Sequence, residues 1–261
     1  MEYETLLVDR VDNIATVTLN RPAKLNAVNE RMIGELIQLF TELRDDTITR
    51  FVIFTGAKRA FSAGADLKTL EFMSKDLKAI RMGQLLGHDL MRTLENLEQI
   101  TIAAVNGPAM GAGLALAMAC DFRIASKDAF FTIPEAAIGI LFIWGCIPRL
   151  VRLIGPAKAK ELIMTADSVD AKEALAIGLV SKVVPPDQLI QVAHELARKI
   201  SSRAPLAVRM AKKIVNATSP ANLGDLYLCE PEIVERLCFS QDFLEGVKAL
   251  EEKREPQFTG M

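Results

Sequence analysis

Two loops of small residues carry the backbone groups in this sequence that could do chemistry. The first loop runs from Phe61 to Leu67 and the second from Asn106 to Gly113, and each follows an apolar strand and enters a helix. Small residues let a ligand approach the backbone closely, and N–H groups at a helix N-terminus favour negative charge. Two such loops side by side could direct two N–H groups at one oxygen, which is the geometry of an oxyanion hole.

The second loop also has two other interpretations. Gly111 and Gly113 supply the first two glycines of a dinucleotide fingerprint, but the third glycine position is Leu116. No second strand ends in an acidic residue at the distance that a ribose contact needs, so we do not expect a nicotinamide cofactor. For either loop taken alone, a tight turn that serves helix packing is the remaining alternative.

The composition excludes several classes of function. The 261 residues carry a net charge of -2, which gives no support for nucleic-acid binding. The four cysteines have no CxxC spacing and are far from the two histidines, so we expect reduced thiols and no metal site. The N-terminus lacks a basic start followed by an apolar run, and the apolar segments are too short to cross a membrane. We therefore expect a cytoplasmic protein with no membrane partner.

The elements that must position the loops alternate between strands and helices. Apolar runs at Phe51 to Thr55 and Ile102 to Val105 predict buried strands, and residues 29–44 have helical periodicity. This alternation predicts an α/β fold. From Pro156 onward helices dominate, and Pro185-Pro186 is the last plausible boundary. We divide the chain into an α/β core, residues 1–185, and a helical C-terminal region, residues 186–261.

The order and spacing of several motifs resemble the crotonase (enoyl-CoA hydratase/isomerase) superfamily from about residue 5 to residue 258. The residues that carry the resemblance are Leu19-Asn20-Arg21-Pro22, Leu25-Asn26-Ala27, Phe61 to Leu67, Ala103 to Gly107, the loop at Gly111, Cys120-Asp121, Phe131 to Glu135 and Gly178-Leu179-Val180. The resemblance implies a spiral of β-β-α units with a C-terminal helical region that builds a homotrimer or a dimer of trimers. It also implies an acyl-CoA thioester as the substrate, with no separate cofactor.

The resemblance assigns roles to individual positions. The two N–H groups that hold the thioester oxygen would belong to Ala65 and Ala112. The positions that match the family's contacts to the adenine and phosphates of coenzyme A are Lys24, Ala63, Asp66 and Leu67, with Lys253 contributed by a neighbouring subunit. From the residues alone, Asp66 is equally well explained as the cap of the helix that follows it.

The acid and base positions are where this sequence departs from the family. Hydratases of the family use two glutamates to position one water, and these positions are Ala115 and Glu135 here. An alanine cannot orient water or transfer a proton. The single Glu135 resembles the arrangement of enoyl-CoA isomerases, which move a proton between carbons 2 and 4. Hydration by one glutamate, decarboxylation of a malonyl-type thioester, and a binding protein for RNA or CoA esters on the same scaffold remain alternatives.

Other residues have ordinary structural explanations beside any functional one. Phe142 and Trp144 either wall the acyl pocket or belong to the core, and as walls they would favour a hydrocarbon acyl group. Asp121 is predicted to form a structural ion pair with Arg123. His88 and His194 match no catalytic position, and we expect both to be surface or packing residues.

Overall fold

A computed structural model of the chain describes residues 3–66, 77–218, 231, 233–235 and 237–259. The strands are β1 (Leu6–Val11), β2 (Ile14–Leu19), β3 (Phe51–Gly56), β4 (Ile100–Val105), β5 (Ala109–Met110), β6 (Phe122–Ser126), β7 (Phe130–Thr132), β8 (Val169–Asp170) and β9 (Lys182–Val184). The α-helices are α1 (Glu30–Asp45), α2 (Leu77–Glu95), α3 (Ala112–Ala119), α4 (Cys146–Thr165), α5 (Ala171–Ala176), α6 (Leu189–Ser201), α7 (Pro205–Thr218) and α8 (Gln241–Glu252). The predicted α/β class is confirmed.

The main sheet has six strands in the order β1-β2-β3-β4-β6-β9. Only the β1–β2 pair is antiparallel, and the other four pairs are parallel. Every residue of β3 and β4 is buried, as expected for parallel strands that are covered on both faces. One face packs against helices α1 and α3, and the other packs against Leu189, Ala193 and Ala197 of α6.

A second layer of short strands runs beside the main sheet. It contains the three-stranded sheet β5-β7-β8 and two single bridges, Val28 with Ala65 and Ser62 with Ala109. Strands β2, β3, β4 and β6 are thus each followed by a short extended segment, and successive segments pair with one another. This pairing stacks the β-β-α units along one axis and brings their loops together on one side of the fold.

The C-terminal helices are packed onto the core. In addition to the apolar contacts of α6, the Lys212 ammonium on α7 donates to the Gln99 carbonyl at 2.8 Å. Gly246 of α8 lies against the backbone of Ile138, where an added Cβ would come within 2.6 Å of the carbonyl oxygen. The helical character of this region is confirmed, whereas the boundary at residues 185 and 186 stays a prediction.

The ion pair of Asp121 differs from the prediction. Its carboxylate lies 2.8 Å from the Lys212 ammonium and accepts from the backbone N–H of Thr101 at 2.8 Å. Arg123 instead donates to the carbonyls of Leu179 and Cys120, at 2.9 and 2.7 Å. The prediction was wrong because it considered only neighbours in the sequence, and α7 contributes the cation from 91 residues further along the chain.

Cysteines 120, 146 and 238 are buried free thiols, and Cys229 lies outside the described residues. Among the described helices, none has the length and apolar character that crossing a bilayer requires. The described residues likewise contain no cluster of three or more His, Cys, Asp or Glu side chains that could hold a metal ion.

Candidate active site

The two small-residue loops are fixed to each other by backbone hydrogen bonds. Ser62 N–H donates to the Pro108 carbonyl at 3.0 Å, and Met110 N–H donates to the Ser62 carbonyl at 3.0 Å. Gly113 makes this approach possible, because a Cβ there would lie 2.6 Å from the Cβ of Ser62. The close contact between the loops therefore depends on the small residues that the sequence places in both.

The N–H of Ala65 is left available by the way its loop is paired. Val28 N–H donates to the Gly64 carbonyl at 2.7 Å, and Asp66 N–H donates to the Val28 carbonyl at 2.9 Å. In such a parallel bridge the middle residue turns its own N–H away from the partner strand. No hydrogen bond from the Ala65 N–H is found within the described part of the chain.

The N–H of Ala112 is available because Ala112 begins helix α3. The first N–H groups of a helix have no intrahelical acceptor and lie at the positive end of its dipole. A Cβ built on Gly64 would lie 3.8 Å from the Ala112 nitrogen, so the two loops bring their free N–H groups into the same neighbourhood. Both Ala65 and Ala112 line one cavity of about 680 Å³.

Glu135 reaches the same place through strand pairing. It lies in the 3-10 turn Pro134–Ile138, directly after β7, and β7 pairs in parallel with β5, which precedes Gly111. A Cβ on Gly111 would lie 2.6 Å from Glu135 Oε1. Gly111 also has φ +43°, a conformation that favours glycine. A glycine at position 111 thus leaves space for the carboxylate beside the start of α3.

The carboxylate of Glu135 lies in a poorly hydrated setting. Its Oε2 atom is buried and has no hydrogen-bond partner among the described residues. Burial disfavours the charged form and raises the pKa of Glu135 from 4.5 to about 8. A carboxyl group in a cavity with a strongly raised pKa is a typical acid/base candidate.

Ala115 occupies the position where the family's hydratases have their other glutamate. It lies one turn into α3 and also lines the cavity. Ala115 is 1% exposed, and its side chain has no polar atom. Phe142 and Trp144 line the cavity as well, so the structure places both in its wall. The carboxyl group of Glu135 therefore faces a cavity whose neighbouring surface at Ala115 is apolar.

The predicted coenzyme A contacts are placed as follows. Lys24, Ala63 and Asp66 all line the cavity, and Lys24 is exposed. Asp66 forms an ion pair with Arg21 at 2.8 Å. Leu67 and the residues that follow it up to 76 lie outside the described residues, so the alternative explanation of Asp66 as a helix cap stays untested.

Lys253 is the one predicted contact among the described residues that does not line the cavity of its own chain. It is exposed and follows α8, whereas Leu250 of the same helix does line the cavity. His88 is buried on α2 and belongs to the packing.

Helix α2 contributes to the cavity wall, and the sequence did not predict this contribution. This helix supplies Met82, Gly83, Gln84 and Leu86 to the wall. Gln84 is buried and polar, but a single glutamine in an amphipathic helix has no sequence signal that sets it apart.

Comparison with known proteins agrees with this architecture. Residues 9–261 match the family Enoyl-CoA hydratase/isomerase. The short-chain-enoyl-CoA hydratase of Clostridium acetobutylicum is 40% identical over 255 residues, which cover 97% of each chain. A crystal structure of an enoyl-CoA hydratase from Mycobacterium avium subsp. paratuberculosis is 29% identical, with a TM-score of 0.88 over 99% of this chain and 100% of that one.

A monofunctional enoyl CoA isomerase from M. smegmatis is also similar. It is 33% identical, with a TM-score of 0.71 over 86% of this chain and 98% of that one. The expected crotonase fold is confirmed by the full-length match and the structural likeness together. The chain belongs to the enoyl-CoA hydratase/isomerase family.

Proposed function

We propose that this enzyme moves the double bond of a 3-enoyl-CoA thioester to position 2, with Glu135 as its single acid/base residue. The proposal is carried by one observation: the buried carboxyl group of Glu135 and the apolar side chain of Ala115 line the same cavity. Isomerisation needs one group that takes and returns a proton, whereas hydration also needs a positioned water.

The reaction follows from the groups that surround the cavity. The Glu135 carboxylate removes a proton from carbon 2, and the electron pair of that C–H bond moves toward the thioester carbonyl. The resulting enolate oxygen accepts hydrogen bonds from the N–H groups of Ala65 and Ala112. Glu135 then returns the proton at carbon 4, the double bond moves to carbons 2 and 3, and the carboxylate is regenerated.

The raised pKa of Glu135 suits this role. A carboxylate whose conjugate acid has a pKa of about 8 is a stronger base than an ordinary one. The backbone donors complement it, because removal of one oxyanion donor typically costs about 100-fold or more in rate. Since both donors are backbone groups, the alanine side chains at 65 and 112 do not weaken them.

Coenzyme A is proposed to bind along the first small-residue loop, which contains Ala63 and Asp66, and the Pro22–Lys24 turn, which contains Lys24. The exposed ammonium of Lys24 would attract the phosphates, and Leu67 would continue this contact surface. Lys253 lies outside the cavity of its own chain, which is compatible with a contact to a neighbouring subunit. A homotrimer or dimer of trimers in the cytoplasm remains part of the proposal.

Hydration of a 2-enoyl thioester is the second candidate. It is favoured by the name of the Clostridium acetobutylicum relative, a short-chain-enoyl-CoA hydratase at 40% identity. For this chain it would require Glu135 alone to orient the water, because Ala115 has no polar atom.

A thioester panel separates these reactions. Purified protein is given 3-enoyl, 2-enoyl and malonyl-type CoA thioesters, and products are identified by mass and chromatography. We expect isomerisation of the 3-enoyl substrate, with Glu135→Gln lowering kcat by about 100-fold or more. Glu30→Gln is the matched control, since Glu30 is an exposed glutamate on the same cavity.

Three results would contradict the proposal. Turnover of no thioester, or undiminished isomerisation by Glu135→Gln, removes its basis. Faster hydration than isomerisation by the wild-type enzyme selects the second candidate. Ala115→Glu adds a further test, because a large gain in hydration would show that the missing carboxylate limits that reaction.

A further inference from the structure

Helix α8 packs directly against the turn that carries Glu135. Gly246 of α8 lies on the backbone of Ile138, where an added Cβ would come within 2.6 Å of the carbonyl oxygen and 2.7 Å of the Cα atom. Contacts of a Cβ shorter than 3.0 Å are essentially never found in proteins. A side chain at position 246 would therefore force the helix or the turn to move.

The turn contributes a glycine of its own to the same contact. Gly139 directly follows the Pro134–Ile138 turn with φ 74°, and an added Cβ there would lie 2.8 Å from the backbone nitrogen of Phe243. That nitrogen belongs to the first turn of α8 and donates to the Ser240 side chain at 3.1 Å. Each partner thus supplies one glycine at which its backbone approaches the other, and we call this the α8–turn contact.

Apolar side chains surround the α8–turn contact. Phe243 and Val247 of α8 form one buried cluster with Ile140, which follows the turn, and with Ile80 of α2. Ile138 packs against the same cluster, and both Ile138 and Ile140 line the catalytic cavity. Close-packed interiors have low compressibility and transmit strain. A displacement of α8 is therefore passed on to the turn and to the cavity wall.

Backbone hydrogen bonds connect the α8–turn contact to Glu135. The N–H groups of Gly139 and Ile140 both donate to the Glu135 carbonyl, the latter at 3.0 Å. On its other side Glu135 approaches Gly111, where an added Cβ would lie 2.6 Å from Oε1. The carboxyl group is thus located between the second small-residue loop and the residues that α8 contacts.

We propose that Gly246 and Gly139 are positioning residues, which let α8 pack on the turn and thereby hold the Glu135 carboxyl group in place for proton transfer. The proposal rests on the function proposed above, because Glu135 must be the group that transfers the proton. Neither glycine is among the described residues that line the cavity. Their effect on the reaction therefore runs through Glu135.

Gly246→Ala tests the α8–turn contact with one methyl group. The new Cβ displaces α8 from the turn, so kcat for the thioester that the wild-type enzyme converts should fall about 10- to 100-fold. Water that enters the loosened contact stabilises the charged form of Glu135, so the midpoint of the kcat/KM profile should move from near pH 8 to about pH 7 or lower. The neighbouring Glu245 stays ionised throughout, because its hydrogen bonds with Arg254 lower its pKa to about 2.

Gly34→Ala is the matched control. Gly34 is an exposed glycine within α1, and an added Cβ there meets no atom of another described part of the chain within 4 Å. This variant should keep both the rate and the midpoint. Circular dichroism shows whether Gly246→Ala is folded. Val247→Ala, which only removes contacts from the same cluster, replaces it if it is not and should move the midpoint in the same direction.

Urea unfolding measures the burial of Glu135 without any turnover. Glu135→Gln is compared with its parent at pH 5 and pH 8, once in the wild-type background and once in the Gly246→Ala background. We expect the stabilisation by Glu135→Gln at pH 8 to be smaller in the Gly246→Ala background, because the carboxyl group there is less buried.

Two outcomes overturn the positioning role. One is an unchanged kcat in folded Gly246→Ala protein. The other is a lower kcat with an unchanged midpoint and an unchanged unfolding difference, which would show a general structural defect. If Glu135→Gln still abolishes isomerisation in either case, the proposed function stands. If no thioester is converted but the unfolding difference shrinks as expected, the proposed function fails and the control of Glu135 by α8 stands.

Discussion

The buried carboxyl group of Glu135 should make the stability of this protein depend on pH. Because the folded state raises the pKa of Glu135 from 4.5 to about 8, the folded protein holds this proton more tightly than the unfolded chain. Below pH 4.5 the group is protonated in both the folded and the unfolded state, so its burial as a charge does not lower the free energy of unfolding. The stability associated with it is lost as the pH rises from 4.5 to about 8, and above pH 8 the loss is complete.

The size of this effect on the free energy of unfolding follows from the two pKa values of Glu135. Each pH unit between them corresponds to about 1.4 kcal/mol, so ionisation costs on the order of 3 kcal/mol of unfolding free energy at pH 7. Glu135→Gln keeps the shape and cannot ionise. We expect it to match the wild-type protein near pH 5 and to exceed it by up to about 3 kcal/mol at pH 7.

Urea unfolding at pH 5, 6, 7 and 8 measures this difference, with protein concentration held constant because assembly would affect the midpoint. Glu30→Gln makes the same substitution at an exposed cavity position and is the control for the change of residue type. A difference between Glu135→Gln and wild type that stays constant from pH 5 to pH 8 would refute the burial argument.

Three further predictions concern rate and stability. For isomerisation, kcat/KM should rise with pH and reach half of its plateau near pH 8, because the free enzyme needs Glu135 as the carboxylate; a flat profile from pH 6 to 9 would exclude it as the base. Gly111→Ala should lower kcat about 100-fold or more while the protein stays folded, because the new Cβ would lie 2.6 Å from Glu135 Oε1, and kinetics with circular dichroism measure both effects. Asp121→Ala should destabilise the protein by about 3 kcal/mol in urea unfolding, since the Lys212 ammonium loses its ion pair, and a loss below 1 kcal/mol would show that this pair matters little.

The sequence predicts the long elements well because their apolar pattern is strong. Residues 29–44 were predicted as a helix, and α1 spans Glu30–Asp45 with the Asn29 side chain accepting from Met32 N–H. The apolar runs that became β3 and β4 are buried along their whole length. Periodicity and local capping chemistry suffice for such elements.

Short elements and the first half of α4 were missed for a different reason. Strands β5 and β8 have two residues each, and only pairing with β7 makes them strands. Helix α4 begins at Cys146 rather than Pro156, because Pro148 lies in its first turn and the chain continues helically after a break at Gly155. Local sequence cannot show that the surrounding fold holds two helical segments end to end.

In the candidate site, the positions of the backbone N–H groups could be predicted from the sequence, whereas the reaction depends on particular side chains. Small residues in the loops predicted the places where N–H groups become available. The fold holds Ala65 there through its bridge with Val28 and holds Ala112 there as the first residue of α3, and neither arrangement uses the alanine side chain. In the proposed mechanism the proton transfer depends instead on the side chain of Glu135, with the apolar Ala115 beside it in the cavity. In the proposed mechanism a substitution at Ala115 therefore changes the groups available to water in the cavity and leaves the two backbone donors in place, because Ala115 lies one turn beyond Ala112 in α3.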